Sequence, residues 1–349
     1  MMTLPSTIDF LWMRFVLSAL FVVAAGISIG RVSGELGERL GLGRAWSGAV
    51  FLSLATTLPE LVSSVTVVLR GAPGMAVGGI LGSIVFNLFI LALVDLVGVD
   101  SIYRRVSSNH VATGLLGCAL LGTLVTGLSI GAGGGGMSFG LGHVGLTPLT
   151  ILALFALGQF VLLRLARGGS GEERRVNVST VFNRMSLTGL FFVYAGIAGV
   201  ILVSAYNLGV AAQGLASHYS LGATFAGAIL LGVVTSLPEI SNATACAKKR
   251  EFDLAVGNIL GANAIVLTVL AIADLFYFPG RILSLLSPGE ALSSIAMAGI
   301  AIVMQAIVLG ALASRSGDRV WRVGIASLLL TSLYGASLLI SYRFSTGPS

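Results

Sequence analysis

The segment ATTLPE at Ala55–Glu60 decides the fold of this chain, because it recurs 179 residues later as VTSLPE at Val234–Glu239. The match continues downstream, where the AVG triplet at 76–78 meets an identical triplet at 255–257. Apolar composition alone does not reproduce proline, glutamate and glycine at matched positions. The sequence therefore predicts an internal duplication.

The composition places the chain in a membrane. Of its 349 residues, 56% are hydrophobic and only 10% are charged, whereas a soluble protein carries about 25% charged residues. The net charge of +6 is typical of membrane proteins with basic cytoplasmic loops, so we expect lipid and no nucleic acid as a partner. Both cysteines lie in apolar runs, and we predict neither a disulfide framework nor a cofactor.

Ten apolar windows are long enough to cross a bilayer as helices, which takes about 20 residues each. They fall at 10–30, 45–69, 75–98, 108–128, 146–165, 186–207, 220–246, 254–277, 290–313 and 320–341. We therefore predict an all-α integral membrane protein with ten transmembrane helices. The most polar stretch predicts a cytoplasmic linker at 166–185, between a first unit at 1–165 and a second at 186–349.

Basic residues are concentrated in alternate loops. The loops after odd-numbered helices hold sixteen of the 20 Lys and Arg residues, and the other four are Arg14, Arg70, Arg281 and Arg343. Because cytoplasmic loops collect basic residues, we expect a multi-pass protein of the cell membrane with both termini outside. The repeat offset covers five helices, an odd number, so the fold is predicted to contain two inverted five-helix repeats. Such repeats are typical of secondary transporters, whose binding site lies near the bilayer midplane.

Glu60 and Glu239 are the only carboxylates near the middle of predicted spans, and they occupy equivalent positions of the two copies. A charged side chain at the bilayer centre costs about 2.5–3.5 kcal/mol on insertion scales. These acids therefore need a compensating charge. The alternative is a protonated glutamic acid that bonds to a neighbouring helix, but this does not explain why the surrounding residues recur.

The surrounding residues predict a cage of oxygen atoms. Pro59 and Pro238 cannot donate to the carbonyls of Ala55 and Val234, so each helix should be distorted there. Threonines four residues before each glutamate share its helix face, and hard cations such as calcium bind six to eight oxygen atoms. The predicted metal ligands are Glu60, Glu239, Thr56, Thr235, Thr57, Ser236, Ser83 and Asn87. Small-residue faces at Gly78/Gly82 and Gly257/Gly261 should let helices pack closely around them.

These motifs resemble the alpha repeats of the calcium/cation antiporter superfamily, of the sodium/calcium exchanger type, over about 45–98 and 220–277. The resemblance implies export of calcium against sodium by alternating access, with helices 1 and 6 as sliding gates. It implies that Glu60 and Glu239 bind both calcium and sodium. The other implied ligands are Thr56 and Thr235, through backbone carbonyls to calcium, and Thr57, Ser236, Ser83 and Asn87, at flanking sodium or proton positions.

The chain departs from the family pattern next to the predicted cage. Ala262 and Val266 stand in the second repeat where the family has serine and an aspartate or asparagine. Gly79 and Ile84 stand in the first repeat where it has asparagine. The central divalent site is retained, but the number and identity of the counter-ions are left open, and so is the physiological cation.

Three functional classes are compared. The leading interpretation is sodium-driven calcium export; the second is proton coupling, since a carboxyl group among apolar residues holds a proton readily. A cation channel would favour several identical subunits around a pore, whereas inverted halves suit a site that opens alternately to each side. We expect no enzyme and no catalytic residue, because no histidine shares a motif with either glutamate and no nucleophile and base are paired.

Overall fold

The structure is a computed structural model that describes residues 7–40, 53–97, 102–107, 110–132, 140–168, 185–315, 319–320 and 323–346. The helices of the first half are α1 (Thr7–Arg39), α2 (Ser53–Leu69), α3 (Pro73–Val97), α4 (His110–Ala132) and α5 (Leu146–Gly168). A short 3-10 helix (Ile102–Arg104) follows α3, and the antiparallel strands β1 (Gly140–Leu141) and β2 (Val144–Gly145) precede α5.

The second half repeats this order. Its elements are α6 (Leu187–His218), α7 (Ala223–Ala226), a π-helix (Gly227–Val233), α8 (Leu237–Lys248), α9 (Phe252–Phe276), a second 3-10 helix (Ile282–Leu285), α10 (Pro288–Ala313), the antiparallel strands β3 (Arg319–Val320) and β4 (Val323–Gly324), and α11 (Ile325–Thr346). The bounds of α9 are those of α3 shifted by 179 residues, and the same shift converts β1 and β2 into β3 and β4. The duplication therefore extends to the secondary structure.

The apolar helices confirm a multi-pass membrane protein. In the described part of the chain eight helices are long and apolar enough to span a bilayer, and the bent pair formed by 223–233 and α8 would make nine. Helix α2 has 17 residues, Ser53–Leu69, and the start of the predicted window 45–69 lies outside the described residues. The count of ten therefore stays a prediction. Helix α5 continues to Gly168, three residues into the predicted linker 166–185. Residues 169–184 lie outside the described ranges, so the linker stays a prediction.

Helices α1 and α6 are equivalent in the repeat and pack against each other antiparallel. Near the first residues of α1, the Trp12 indole donates to the Tyr219 hydroxyl, just beyond the end of α6, at 3.0 Å. At the other end of the pair, the Arg39 guanidinium donates to the Met185 carbonyl, just before α6 begins. Equivalent helices that run in opposite directions are what an inverted repeat requires.

Helix α3 lies at the centre and packs tightly on the segment that contains the π-helix. A Cβ atom added at Gly82 would lie 2.4 Å from the Cα of Ala228, and one at Gly78 would lie 2.1 Å from the carbonyl oxygen of Thr224. The predicted close approach is therefore confirmed in the first copy. In the second copy the nearest atoms to a Cβ at Gly257 would be those of the His110 ring, at 2.7 Å and beyond, and the described residues place nothing within 4 Å of a Cβ at Gly261.

Two buried aspartates hold the ends of α3 and α9 to neighbouring elements. Asp95 accepts hydrogen bonds from the backbone N–H of Ile102 at 2.9 Å and from the Ser327 hydroxyl at 2.7 Å. Asp274, its equivalent, accepts from the first residue of the second 3-10 helix and from the Gly145 N–H, both at 2.7 Å. Each carboxylate thus joins the end of a central helix to the short 3-10 helix that follows it and to an element of the other half, the start of α11 for Asp95 and strand β2 for Asp274.

Candidate cation site

The helical segment 223–248 is broken just before Glu239, which therefore lies at the start of a new helix. The π-helix and α8 meet there at an angle of 42°. Pro238 has no N–H to donate to the carbonyl of Val234, which explains the break. Ser236 is the N-cap of α8, and Glu239 lies in its first turn, where the positive end of the helix dipole stabilises a carboxylate. The predicted distortion is present in this half.

The equivalent proline behaves differently. Pro59 lies inside α2, which is an unbroken helix from Ser53 to Leu69, so the predicted distortion at Ala55 does not produce a second break. A proline removes one helical hydrogen bond, and a helix can absorb this by bending when its neighbours hold it in place. Glu60 follows directly and is only 4% exposed, the same value as Glu239.

The two glutamates lie near each other inside the protein. Glu60 lies close enough to Glu239 for direct electrostatic interaction between the carboxyl groups, and its side chain also contacts the Thr235 hydroxyl. That hydroxyl donates to the carbonyl of Leu231 at 3.0 Å and lies 3.3 Å from the hydroxyl of Ser83. The structure therefore brings four predicted ligands into one cluster, Glu60, Glu239, Thr235 and Ser83.

The remaining hydroxyl ligands are also buried. Thr56 and Thr57 lie on α2 and are each 8% exposed, and Ser236 is fully buried at the break. The carbonyl of Gly232, at the end of the π-helix, accepts a hydrogen bond from Ser83 at 3.2 Å. This carbonyl was not predicted, because a π-helix has no sequence pattern that identifies it.

The last predicted ligand, Asn87, has a partner that the sequence analysis did not include in the site. Asn87 donates through Nδ2 to Oδ1 of Asn263 at 3.0 Å, and Asn263 donates through Nδ2 to the carbonyl of Ile84 at 3.5 Å. Both amide side chains are buried. The signal that could have identified Asn263 is a polar residue within the otherwise apolar face of α9.

Unpartnered oxygen atoms concentrate in this cluster. Among the described residues, seven buried side-chain polar atoms have no hydrogen-bond partner. Four of them belong to predicted ligands: Glu60 Oε2, Glu239 Oε2, Ser236 Oγ and Asn87 Oδ1. Buried polar atoms without a partner are rare in proteins and call for an ion or water. Oxygen donors with two carboxylates fit a hard divalent cation, whose charge they would neutralise.

The donor set is that of a weak, exchangeable site. No group of three or more His, Cys, Asp or Glu side chains capable of holding a metal ion occurs within the residues described. The cluster instead combines two carboxylates with neutral hydroxyl, amide and carbonyl oxygens. Because a calcium site with fewer charged ligands binds the ion less tightly, such a set can release a cation as well as bind it.

The two copies contribute unequally to the cluster. Ser83 is matched by Ala262, and Asn87 is matched by Val266, so neither polar group has a counterpart in the second copy. The reverse holds for Asn263, which is matched by Ile84. The predicted departures from the family pattern therefore lie beside the cluster, where they remove oxygen atoms from one side.

Comparison with known proteins identifies relatives of the chain. A model of the family described as sodium/calcium exchanger protein matches twice, at residues 10–196 and 188–343. The inner membrane protein YrbG of Escherichia coli (strain K12) is 30% identical over 237 residues, which cover 67% of this chain and 70% of that protein. An uncharacterized membrane protein of Methanocaldococcus jannaschii is 26% identical over 235 residues, 66% of this chain and 70% of that protein.

Solved structures share the fold. The sodium-calcium exchanger NCX_Mj is 18% identical with a TM-score of 0.59, and the alignment covers 95% of this chain and 98% of that one. The H+/Ca2+ exchanger CAX is 15% identical with a TM-score of 0.58, covering 96% of this chain and 88% of that one. The structure of native YfkE is 17% identical with a TM-score of 0.57, covering 94% and 91%.

Proposed function

This chain belongs to the sodium/calcium exchanger protein family, and we propose that it is a secondary active antiporter that exports calcium in exchange for sodium. The family consists of exchangers, so the chain is a membrane transporter and not an enzyme. The observation that carries the proposal is the buried pair of Glu60 and Glu239 with unpartnered oxygen atoms around it. Two buried like charges are costly without a bound cation.

We infer the ligand set from the same cluster. The two carboxylates bind the calcium ion, assisted by the backbone carbonyls of Thr56 and Thr235. Side chains around them form flanking positions for the counter-ion, and these are Thr57, Ser236, Ser83 and Asn87. The burial of all eight residues supports this assignment.

The proposed topology has ten transmembrane helices in two inverted five-helix repeats, at 1–165 and 186–349, with a cytoplasmic linker between them and both termini outside. The antiparallel packing of α1 against α6 supports the inversion. The recurrence of helix and strand bounds at one offset supports the division. An inverted pair of halves can open one central site first to one side of the membrane and then to the other.

Proton coupling is the second candidate, and a specific observation favours it. Ala262 and Val266 remove oxygen atoms from one side of the cluster, which leaves fewer ligands for sodium. A structure of similar fold is that of an H+/Ca2+ exchanger. In that mechanism the glutamates themselves carry the protons.

The test of the function is calcium-45 flux in proteoliposomes under separate sodium, potassium and proton gradients. We expect uptake only when an outward sodium gradient is imposed; uptake driven by a proton gradient instead would establish the second candidate. Calcium flux that needs no counter-gradient would identify a channel and contradict antiport.

The substitution Val266→Asp tests which side of the cluster binds the counter-ion. Val266 is buried on α9 at the position equivalent to Asn87. A third carboxylate beside the cluster would attract one more positive charge. We therefore expect either the half-saturating sodium concentration to change about tenfold or more, or the pH at which transport is half-maximal to move by about one unit or more. The measurement is calcium-45 exchange over a range of sodium concentrations and pH. Val266→Asn is the control, because it adds polarity without charge; unchanged profiles for Val266→Asp would show that this position lies away from the ions.

A further inference from the structure

The orientation of Asn87 is determined by a chain of three groups. The carbonyl of Ile84 can only accept hydrogen bonds, so the Asn263 atom that faces it at 3.5 Å must be the amide nitrogen. Asn263 then directs Oδ1 toward Asn87, so Asn87 must donate a hydrogen bond to it through Nδ2, at 3.0 Å. This leaves Oδ1 of Asn87 as the atom without a partner.

The reversed arrangement is disfavoured at both ends. If both amides were turned over, Oδ1 of Asn263 would face the Ile84 carbonyl, and two acceptors would oppose each other without a hydrogen between them. Asn87 would then point its NH2 group away from Asn263, and a donor cannot bind a cation. One backbone carbonyl thus decides which atom of Asn87 is free.

The free oxygen belongs to the face of α3 that lines the cluster. Asn87 lies one helical turn after Ser83, so the two side chains share a face, and Ser83 lies 3.3 Å from the hydroxyl of Thr235 that contacts Glu60. The two hydrogen bonds of the Asn263 side chain described above both join it to α3, one to the Asn87 side chain and one to the Ile84 carbonyl. Asn263 acts on the site through Asn87.

We propose that Asn263 is a positioning residue that turns the side-chain oxygen of Asn87 toward the transported cation. The inference rests on the proposed function and extends it by one residue. The repeat equivalents of Asn87 and Asn263 are Val266 and Ile84, which are apolar. The pair of hydrogen-bonded asparagines therefore has no counterpart on the other side of the cluster. It gives the cation an oriented amide oxygen at little cost, because the amide is already fixed before the ion arrives.

The test combines substitutions at the two positions. Asn263→Ala is expected to raise the half-saturating calcium concentration about tenfold, the low end of what the loss of a residue that orients a metal ligand costs, with little change in maximal rate. In an Asn87→Asp background the same substitution is expected to cost nothing further, because a carboxylate presents an oxygen whichever way it is turned. Calcium-45 uptake in proteoliposomes gives the half-saturating concentration and the maximal rate, and calcium-dependent thermal stabilisation in detergent measures binding directly.

Controls separate orientation from packing. Thr268→Val removes a different buried polar group on α9, a hydroxyl that donates to the carbonyl of Ile265 in its own helix, and should leave calcium affinity unchanged. If Asn263→Ala does not purify in folded form, Asn263→Val fills more of the space and serves the same comparison. An equal loss of affinity with and without the Asn87→Asp substitution would overturn the positioning role while leaving the transport function standing. A wild-type protein that neither binds nor transports calcium would overturn both.

Discussion

Replacing Glu60 or Glu239 by glutamine is expected to abolish calcium exchange while the protein stays folded. Glutamine keeps the shape and one oxygen but removes one of the two charges that neutralise the divalent cation. Losing one charged partner of a buried ionic interaction costs about 3–5 kcal/mol, or about 100- to 4000-fold in affinity. Both residues are 4% exposed, so solvent does not replace the missing charge.

The measurement separates binding from folding. Without calcium, each variant should be at least as stable as the wild type, because it no longer buries two carboxylates near each other. With calcium, only the wild type should gain thermal stability, since a ligand that binds the folded state stabilises it. Glu251→Gln is the matched control, because Glu251 lies in the turn between α8 and α9, outside the cluster. Normal transport by either central variant would contradict the assignment of the site.

Gly82→Val is expected to prevent α3 from packing against the π-helix segment. A Cβ at this position would lie 2.4 Å from the Cα and 2.6 Å from the carbonyl oxygen of Ala228, both backbone atoms. A side chain can rotate away from a clash, but a helix backbone must move as a unit. Overpacking in a protein core costs about 1–3 kcal/mol or more, and valine adds two methyl groups beyond the Cβ.

The expected result is a strong loss of monodisperse protein in detergent size-exclusion chromatography and a lower melting temperature. Gly82→Ala should show the same defect to a smaller degree. Gly299→Ala on α10 is the control, because no atom of the described residues lies within 4 Å of a Cβ built there and alanine favours the helix by about 1 kcal/mol. A Gly82→Val protein as stable as this control would show that α3 and the π-helix segment do not approach as closely as the structure has them.

Much of the fold was predictable from local pattern. Long apolar windows require helices in lipid, where every backbone polar group must be bonded within its own segment. Each predicted window accordingly overlaps a described helix, although the helix often begins or ends several residues away from the predicted bound. The acids Glu60 and Glu239 were identifiable because a carboxylate in the middle of such a window is costly and therefore has a function.

Other features depend on contacts between distant segments. Pro59 and Pro238 stand in matching motifs that predict the same distortion, yet of the two only Pro238 lies at a break, where a π-helix precedes it. The predicted close packing at Gly257 and Gly261 differs from that at Gly78 and Gly82 for the same reason. Identical motifs receive different neighbours, and the neighbours decide the local geometry.

The sequence by itself determined the membrane class, the duplication, the exchanger family and the two central acids. The membrane class, the duplication and the two acids follow from hydropathy, repeat spacing and residue type, and the family follows from the resemblance of the repeated motifs; all of these can be read along the chain without knowing which helices meet. Only the tertiary structure decided that the two acids share one buried cluster, that Ser83 joins it through Thr235, and that Asn263 orients Asn87. The physical reason is that hydrogen bonds and charge interactions act over a few ångströms between helices far apart in the chain, and no local pattern records which helices meet.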